Sequence, residues 1–329
     1  MKNDVRRCHV ILAIDAFEKE LALSRVALRE LHYWAKKLGT RIEAVHVLSG
    51  SDQDPRFNQN YTRAYDLLVQ RVKRLSLGVP VQVKVIWDHQ DLIQHPAHTL
   101  VDYAKDSKAD LVLVSSHGRK WFSRMVFGSF AEKLLQSSPV PLLFFGRNPD
   151  REDLFRRVLF CTDFSDSSKM AFLHFLKQVR PIQPEVVIFH AAEYPNFVTG
   201  MSLTGVGAYL PDAYWKVMKE SLVSEGESWV KLAEEEGVRA RALIEEGVGD
   251  VSGSIQKIAA SEQVSLIGMA SVRGEFQRMV LGSISKQIFR SSRHSVWVCG
   301  PKALDHLTST ESPMRPKVSP PDLRSAGLS

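Results

Sequence analysis

The residues best suited to chemistry lie between Leu111 and Gly146, in the run LVLVSSHGRKWFSRMVFGSFAEKLLQSSPVPLLFFG. Its apolar start gives way to Ser115-Ser116-His117-Gly118-Arg119. Gly128-Ser129 then opens a segment with apolar residues at helical spacing, Phe130, Leu134 and Leu135. Ser138-Pro139 ends that segment, and Val140 to Phe145 reads as a second apolar strand. Strand, glycine loop, helix N-terminus and return strand together can hold a phosphate against free backbone N–H groups. Glycine lets the backbone come close, and a serine at the helix start adds a hydroxyl donor. Arg119, Lys120 and Arg124 put positive charge beside the same loop.

Other reactive residues carry less. His95-Pro96-Ala97-His98 has two imidazoles, but a proline sits between them and no carboxylate or cysteine cluster supports a metal, so it reads as a surface loop. Asp88-His89 follows a strand without a nucleophile to serve and reads as a turn. There is no G-x4-G-K-[ST] phosphate loop, no kinase loop and no G-x-S-x-G elbow.

The elements that must position the loop come in alternation. His9 to Ile14 is a strand ending at Asp15. Leu21 to Leu38 is an amphipathic helix closed by Gly39. Ile42 to Leu48 is the second strand, and residues 49–60 are polar. Tyr61 to Leu77 is a basic helix ended by Gly78. Val79 to Trp87 alternates with period two, as a strand does, and Leu100 to Ala104 marks a further helix. This order predicts an α/β fold with a parallel sheet and helices on both faces.

The pattern then repeats. Arg157 to Phe164 matches the first strand, with Asp163 in the place of Asp15. Glu185 to His190 matches the second, with His190 in the place of His46. Gly237 to Glu246 and Ile255 to Ala260 match the next strand and helix. Val264 to Gly300 matches the opening stretch at a constant offset of 154 residues: Gly128-Ser129 falls on Gly282-Ser283, and Gly146 on Gly300. The chain therefore reads as two domains, 1–148 and 149–302, joined near Pro149, and a disordered tail, 303–329, rich in proline and serine.

The totals agree with this. The chain has 329 residues, 44% hydrophobic and 24% charged, in the globular range. A net charge of +6 is too small for its length to argue for nucleic acid. No long uncharged apolar run predicts membrane insertion, and the short one near the N-terminus ends in Asp15, so the protein is expected to be cytoplasmic. Cys8, Cys161 and Cys299 are far apart in apolar runs and read as reduced core thiols.

The segment SSHGRKWFSRMVFGS resembles the universal stress protein signature, G-x2-G-x9-G-[ST]. So do Asp15 and the His46-Val47 at the end of the second strand. The repeat makes the chain similar to the tandem members of that family, and Gly78 to Trp87 to the E-type in particular. The resemblance implies two doubly wound, five-stranded parallel sheets of the adenine-nucleotide α-hydrolase-like, Rossmann-like type. It implies a cytoplasmic stress-response protein that binds ATP, with or without Mg2+, as a sensor or switch. In members that bind ATP the strand-one aspartate lies near ribose and adenine, the valine offers its backbone to adenine, and the glycines and Gly-Ser hold ribose and phosphates. Carried over to the first copy, these are Asp15, Val47, Ser115, Gly118, Arg119, Gly128, Ser129 and Phe130, with Ser115 standing where the family has its first glycine. The second copy keeps Asp163, Gly282 and Ser283, a possible second site. Met269 and Val272 replace its loop glycines, and Ala191 replaces the valine. A β-branched Val272 blocks close backbone approach, so the first copy is the expected nucleotide site. With no general base to activate water, weak ATPase or autophosphorylation is the most that is expected.

Family members commonly dimerise through the last strand. The resemblance implies that Val140–Phe145 and Ser295–Cys299 pair within the chain, and a homodimer is compatible with it. The departures in the second copy leave an alternative open, a non-nucleotide interaction protein acting through partners or an apolar ligand. The insert Tyr194 to Trp215 is apolar, aromatic and glycine-rich, and could be a lid, an apolar ligand surface or a folded-back loop.

Overall fold

In a computed structural model the described residues are 8–17, 31–32, 36, 40–49, 54, 56–87, 95–114, 129–146, 155–192, 212–271, 283–291 and 293–311. The first repeat supplies β1 (His9–Ala13), β2 (Arg41–Leu48), β3 (Val81–Trp87), β4 (Leu111–Val114) and β5 (Leu142–Phe144). They lie in the order β3-β2-β1-β4-β5, with all neighbours parallel. The second repeat supplies β6 (Arg157–Cys161), β7 (Glu185–Ala192), β8 (Arg239–Glu246), β9 (Leu266–Ala270) and β10 (Ser295–Cys299). Its order, β10-β9-β6-β7-β8, is the same topology seen from the other side.

The two halves form one ten-stranded sheet, because β5 and β10 pair antiparallel, with Trp297 opposite Leu143. Gly146 closes the seam by donating its N–H to Ser295 Oγ at 3.0 Å.

The central strands read as unbroken apolar runs because both faces of the sheet are covered. Along β1, Val10 and Leu12 join the core on one face, and Ile11 joins the core on the other. Strand β3 is an edge strand, and its Gln82 and Lys84 point to solvent. That is why it alone showed a clear period of two.

The helices are α1 (Phe57–Leu75), α2 (Pro96–Asp106), α3 (Ser129–Ser137), α4 (Asp166–Val179), α5 (Asp212–Glu235), α6 (Val251–Ser261), α7 (Ser283–Ser291) and α8 (Pro301–Glu311). Helix α1 begins four residues earlier than expected from Tyr61. Phe57 and Tyr61 both pack edge-on to Trp87, at 5.3 and 5.4 Å, so tertiary contact extends the first turn. Of the expected helix 21–38, the described residues 31, 32 and 36 are helical, and Leu31 is buried. The insert lies outside the described residues up to Asp212, where α5 begins.

One expectation is corrected. Residues 303–311 are not disordered but belong to α8, which starts on Pro301. Ala303 and Leu304 are buried, and Leu307 packs beside them on the core. Proline is preorganised for the first helical position, and the prolines that signalled disorder all come after residue 311. Among the described residues, no helix is long and apolar enough to cross a membrane.

Candidate ligand-binding site

Each half places its described candidate residues where the strand order reverses. Connections leave β1 toward β2 on one side, and β4 returns on the other. The crevice beyond the carboxyl ends of such strands is the usual ligand position in an open parallel sheet.

In the first half the ladder between β1 and β2 runs to Ile14, whose N–H donates to the Val45 carbonyl at 2.9 Å. The next amide in line, Ala16 N–H, donates instead to His46 Nδ1 at 3.1 Å. The ladder thus stops short of Val47, and β1 turns away. Asp15 makes that turn, its Oδ1 accepting from the Phe17 N–H at 2.9 Å. The same oxygen lies 3.8 Å from His46 Nδ1. Phe17 stands edge-on to the His46 ring, with centroids 5.3 Å apart. Arg71, buried on α1, donates from Nε to the Ala16 carbonyl at 3.1 Å and pins the turn. Nothing local in the sequence announced Arg71, since its partner is 55 residues away.

His46 is the most constrained group here. Its Nδ1 faces the Ala16 amide, which can only donate, and the Ile14 carbonyl at 3.2 Å, which can only accept. In either tautomer Nε2 is buried with no hydrogen-bond partner among the described residues. Burial lowers its pKa from the ordinary 6.5, with Arg71 adding to the fall and Asp15 and the Ile14 carbonyl opposing it. The imidazole is accordingly neutral at physiological pH.

Ser129 opens α3, as expected from Gly128-Ser129. Phe130 stacks on His95, 6.4 Å between centroids and 25° between planes. His95 caps α2, its Nδ1 accepting from Ala97 N–H at 3.3 Å, so HPAH is a helix start rather than a surface loop. The stacking sets the start of α3 beside the start of α2. The structure therefore brings Asp15, in the turn after β1, beside the end of β2 that carries Val47, and sets Phe130 in the first turn of α3 against His95. Ser115, Gly118, Arg119 and Gly128 lie outside the described residues, as do Asp88-His89 and, in the second half, Val272 and Gly282.

The second half repeats the turn with different bonds. Asp163 Oδ1 accepts from both the N–H and the hydroxyl of Ser165, at 3.0 and 2.6 Å. Ser165 in turn caps α4 through Ser168 N–H. His190 Nδ1 lies 2.9 Å from the Thr162 carbonyl. The His190 ring stacks on Phe164 at 4.7 Å, and Trp229 backs Phe164 at 5.4 Å. A cavity of about 520 Å³ opens here, lined by Asp163, His190, Ala191, Met269 and the first turn of α7 beyond Ser283.

Two α/β halves with the strand order 3-2-1-4-5, fused through their last strands, define a duplicated Rossmann-like chain of the adenine-nucleotide α-hydrolase-like type. The chain belongs to the universal stress protein family: the family's sequence profile matches residues 8–145 and again 154–300. A universal stress protein of Methanocaldococcus jannaschii, MJ0531, is 26% identical over 152 residues, 45% of this chain and 83% of its own. The chain is similar in fold to a universal stress protein from Archaeoglobus fulgidus, at a TM-score of 0.60 and 22% identity, covering 90% of this chain and 99% of that one. It is similar also to a functionally unknown protein from Pseudomonas aeruginosa PAO1, at a TM-score of 0.59 and 14% identity, covering 93% and 97%.

Proposed function

We propose that the first half binds ATP or a related adenine nucleotide, and that the chain acts in the cytoplasm as a stress-responsive sensor or switch. The observation that carries this is the early end of the β1–β2 ladder. Ala16 N–H is diverted to His46, so Val47 presents its backbone edge to the crevice beside the Asp15 carboxylate. A backbone edge and a carboxylate acceptor are what an adenine ring with an exocyclic amine can use. Phosphates would then fall to Ser115, Gly118, Arg119, Gly128 and Ser129, with Mg2+ as their counter-ion. Gly118 allows the close backbone approach that Val272 denies the second half. Domains at 1–148 and 149–302 would then differ in role, one responsive and one not.

Titration of the purified full chain with labelled ATP tests the reading. Saturable binding tighter than about 1 mM is expected, weakened about tenfold or more by Asp15→Ala and by Gly118→Val. Binding that does not saturate, or variants that bind as well as the parent, would overturn it.

A further inference from the structure

We propose that the cavity of the second half is a separate ligand site, for a compact and largely apolar molecule that carries a hydrogen-bond donor. An aromatic amine is the class that fits, and a nucleotide is not. The cavity occupies about 520 Å³ at the carboxyl ends of β6, β7 and β9. That is within the range of roughly 300–1,000 Å³ typical of small-molecule sites.

Four elements supply its long aliphatic and thioether side chains. Met218 and Leu222 project from α5, Val251 and Ile255 from α6, Met269 from β9, and Ile284 from the first turn of α7. By sheet register and helix caps, Met269 stands where the first half has Val114, and Val251 and Ile255 stand where it has Pro96 and Leu100. Of the three, only the longer Met269 side chain in place of Val114 adds apolar volume. Met269 is almost fully buried, so its thioether forms the floor, while Ile284 is 38% exposed at the rim. Methionine is flexible and polarisable, and it adapts to ring-shaped ligands. Burial pushes the Cys161 thiol far above its ordinary pKa, so this wall residue adds no thiolate.

The polar groups select by sign. Among the described lining residues there is no lysine or arginine, and the charged one is Asp163. Asp163 Oδ1 is committed to Ser165, which leaves Oδ2 to accept from a ligand. The Thr162 carbonyl can only accept, so it fixes the His190 proton on Nδ1. Nε2 is then the ring nitrogen left to accept from a ligand. Two acceptors, one of them anionic, favour a donor and repel phosphate. A phosphate here would meet a carboxylate with no cation from these walls to offset it.

The test is a fluorescence titration of the full chain with 1-aminoanthracene, an apolar aromatic amine. Saturation at one site per chain is expected, with no displacement by excess ATP. Ile284→Lys, at the exposed rim, and Leu222→Arg, on a half-buried helix face, should each weaken binding about tenfold, and Asp163→Asn should weaken it several-fold. Asp15→Ala should leave the titration unchanged, so failure of nucleotide binding in the first half does not touch this site. The proposal is overturned if the dye does not saturate, if ATP displaces it, if Asp15→Ala abolishes its binding, or if Ile284→Lys and Leu222→Arg both bind it normally.

Discussion

The Trp297 indole donates to Gln178 Oε1 at 2.8 Å, deep in the seam between the two halves. The other end of the same amide donates to the Asp110 carbonyl at 3.1 Å, on the approach to β4. One side chain on α4 thereby ties the central strand β10 to the first half. Replacing Gln178 by Leu leaves the indole N–H buried without a partner, which costs about 1–3 kcal/mol. Urea denaturation should show this loss. Adding Trp297→Phe to Gln178→Leu should cost less than Trp297→Phe does alone, because the orphaned donor is gone.

The last glycine of each repeat is a point of close approach. A Cβ at Gly300 would lie 2.3 Å from the Leu135 carbonyl oxygen. One at Gly146 would lie 2.3 Å from the His294 backbone carbon. In both cases the obstacle is backbone, which cannot rotate aside. Gly146→Ala and Gly300→Ala should each cost about 1–3 kcal/mol or more by overpacking. Gly249→Ala is the control, since a Cβ there meets nothing within 4 Å. Thermal unfolding of the three variants would decide it: a Gly249 variant as unstable as the others would contradict the steric argument.

How far the sequence reveals the molecule follows from the range of each interaction. Strands buried on both faces announce themselves as apolar runs, and LVLV and SVWVC are both wholly buried. The duplication was legible because the offset holds at 154 from the helix start at Ser129 and Ser283 onward, and the family resemblance suggested the pairing of the two final strands. Contacts between distant segments were not legible. Arg71 reaches Ala16 across 55 residues, and Met218 and Leu222 line a cavity whose floor is Met269. Helix α8 was missed because its apolar stripe is only Ala303, Leu304 and Leu307, and it gains stability by docking rather than from its own composition.

Acid should weaken the fold through His46. In the unfolded chain this imidazole takes a proton near its ordinary 6.5, whereas burial lowers the folded value. Below about 6.5 the unfolded state therefore binds more protons than the native one, and stability falls as pH falls until the folded group also titrates. Urea midpoints measured from pH 7.5 down to about 5 should decline in the parent. The decline should be shallower in His46→Gln, which cannot take a proton. Equal slopes in both proteins would assign the acid sensitivity to other groups.

Arg71 offers a sharper test of how the first-half site is held. Its guanidinium comes from α1, is about nine-tenths buried, and bonds the Ala16 carbonyl inside the turn that carries Asp15. Arg71→Met keeps most of the aliphatic packing but removes the donor and the charge. The turn then keeps its contacts to His46 but loses its anchor to α1, which loosens the hold on Asp15 at the β2 edge. ATP affinity is expected to fall about tenfold, a loss of roughly 1.4 kcal/mol in positioning. Arg71→Lys should not restore it, because an ammonium cannot reproduce the planar Nε–H contact. Binding of the aromatic amine in the second half should be untouched. Calorimetric titrations of both ligands against the two variants separate the outcomes: a parallel loss of both would mean general destabilisation, and an unchanged ATP affinity would mean the turn holds its shape without Arg71.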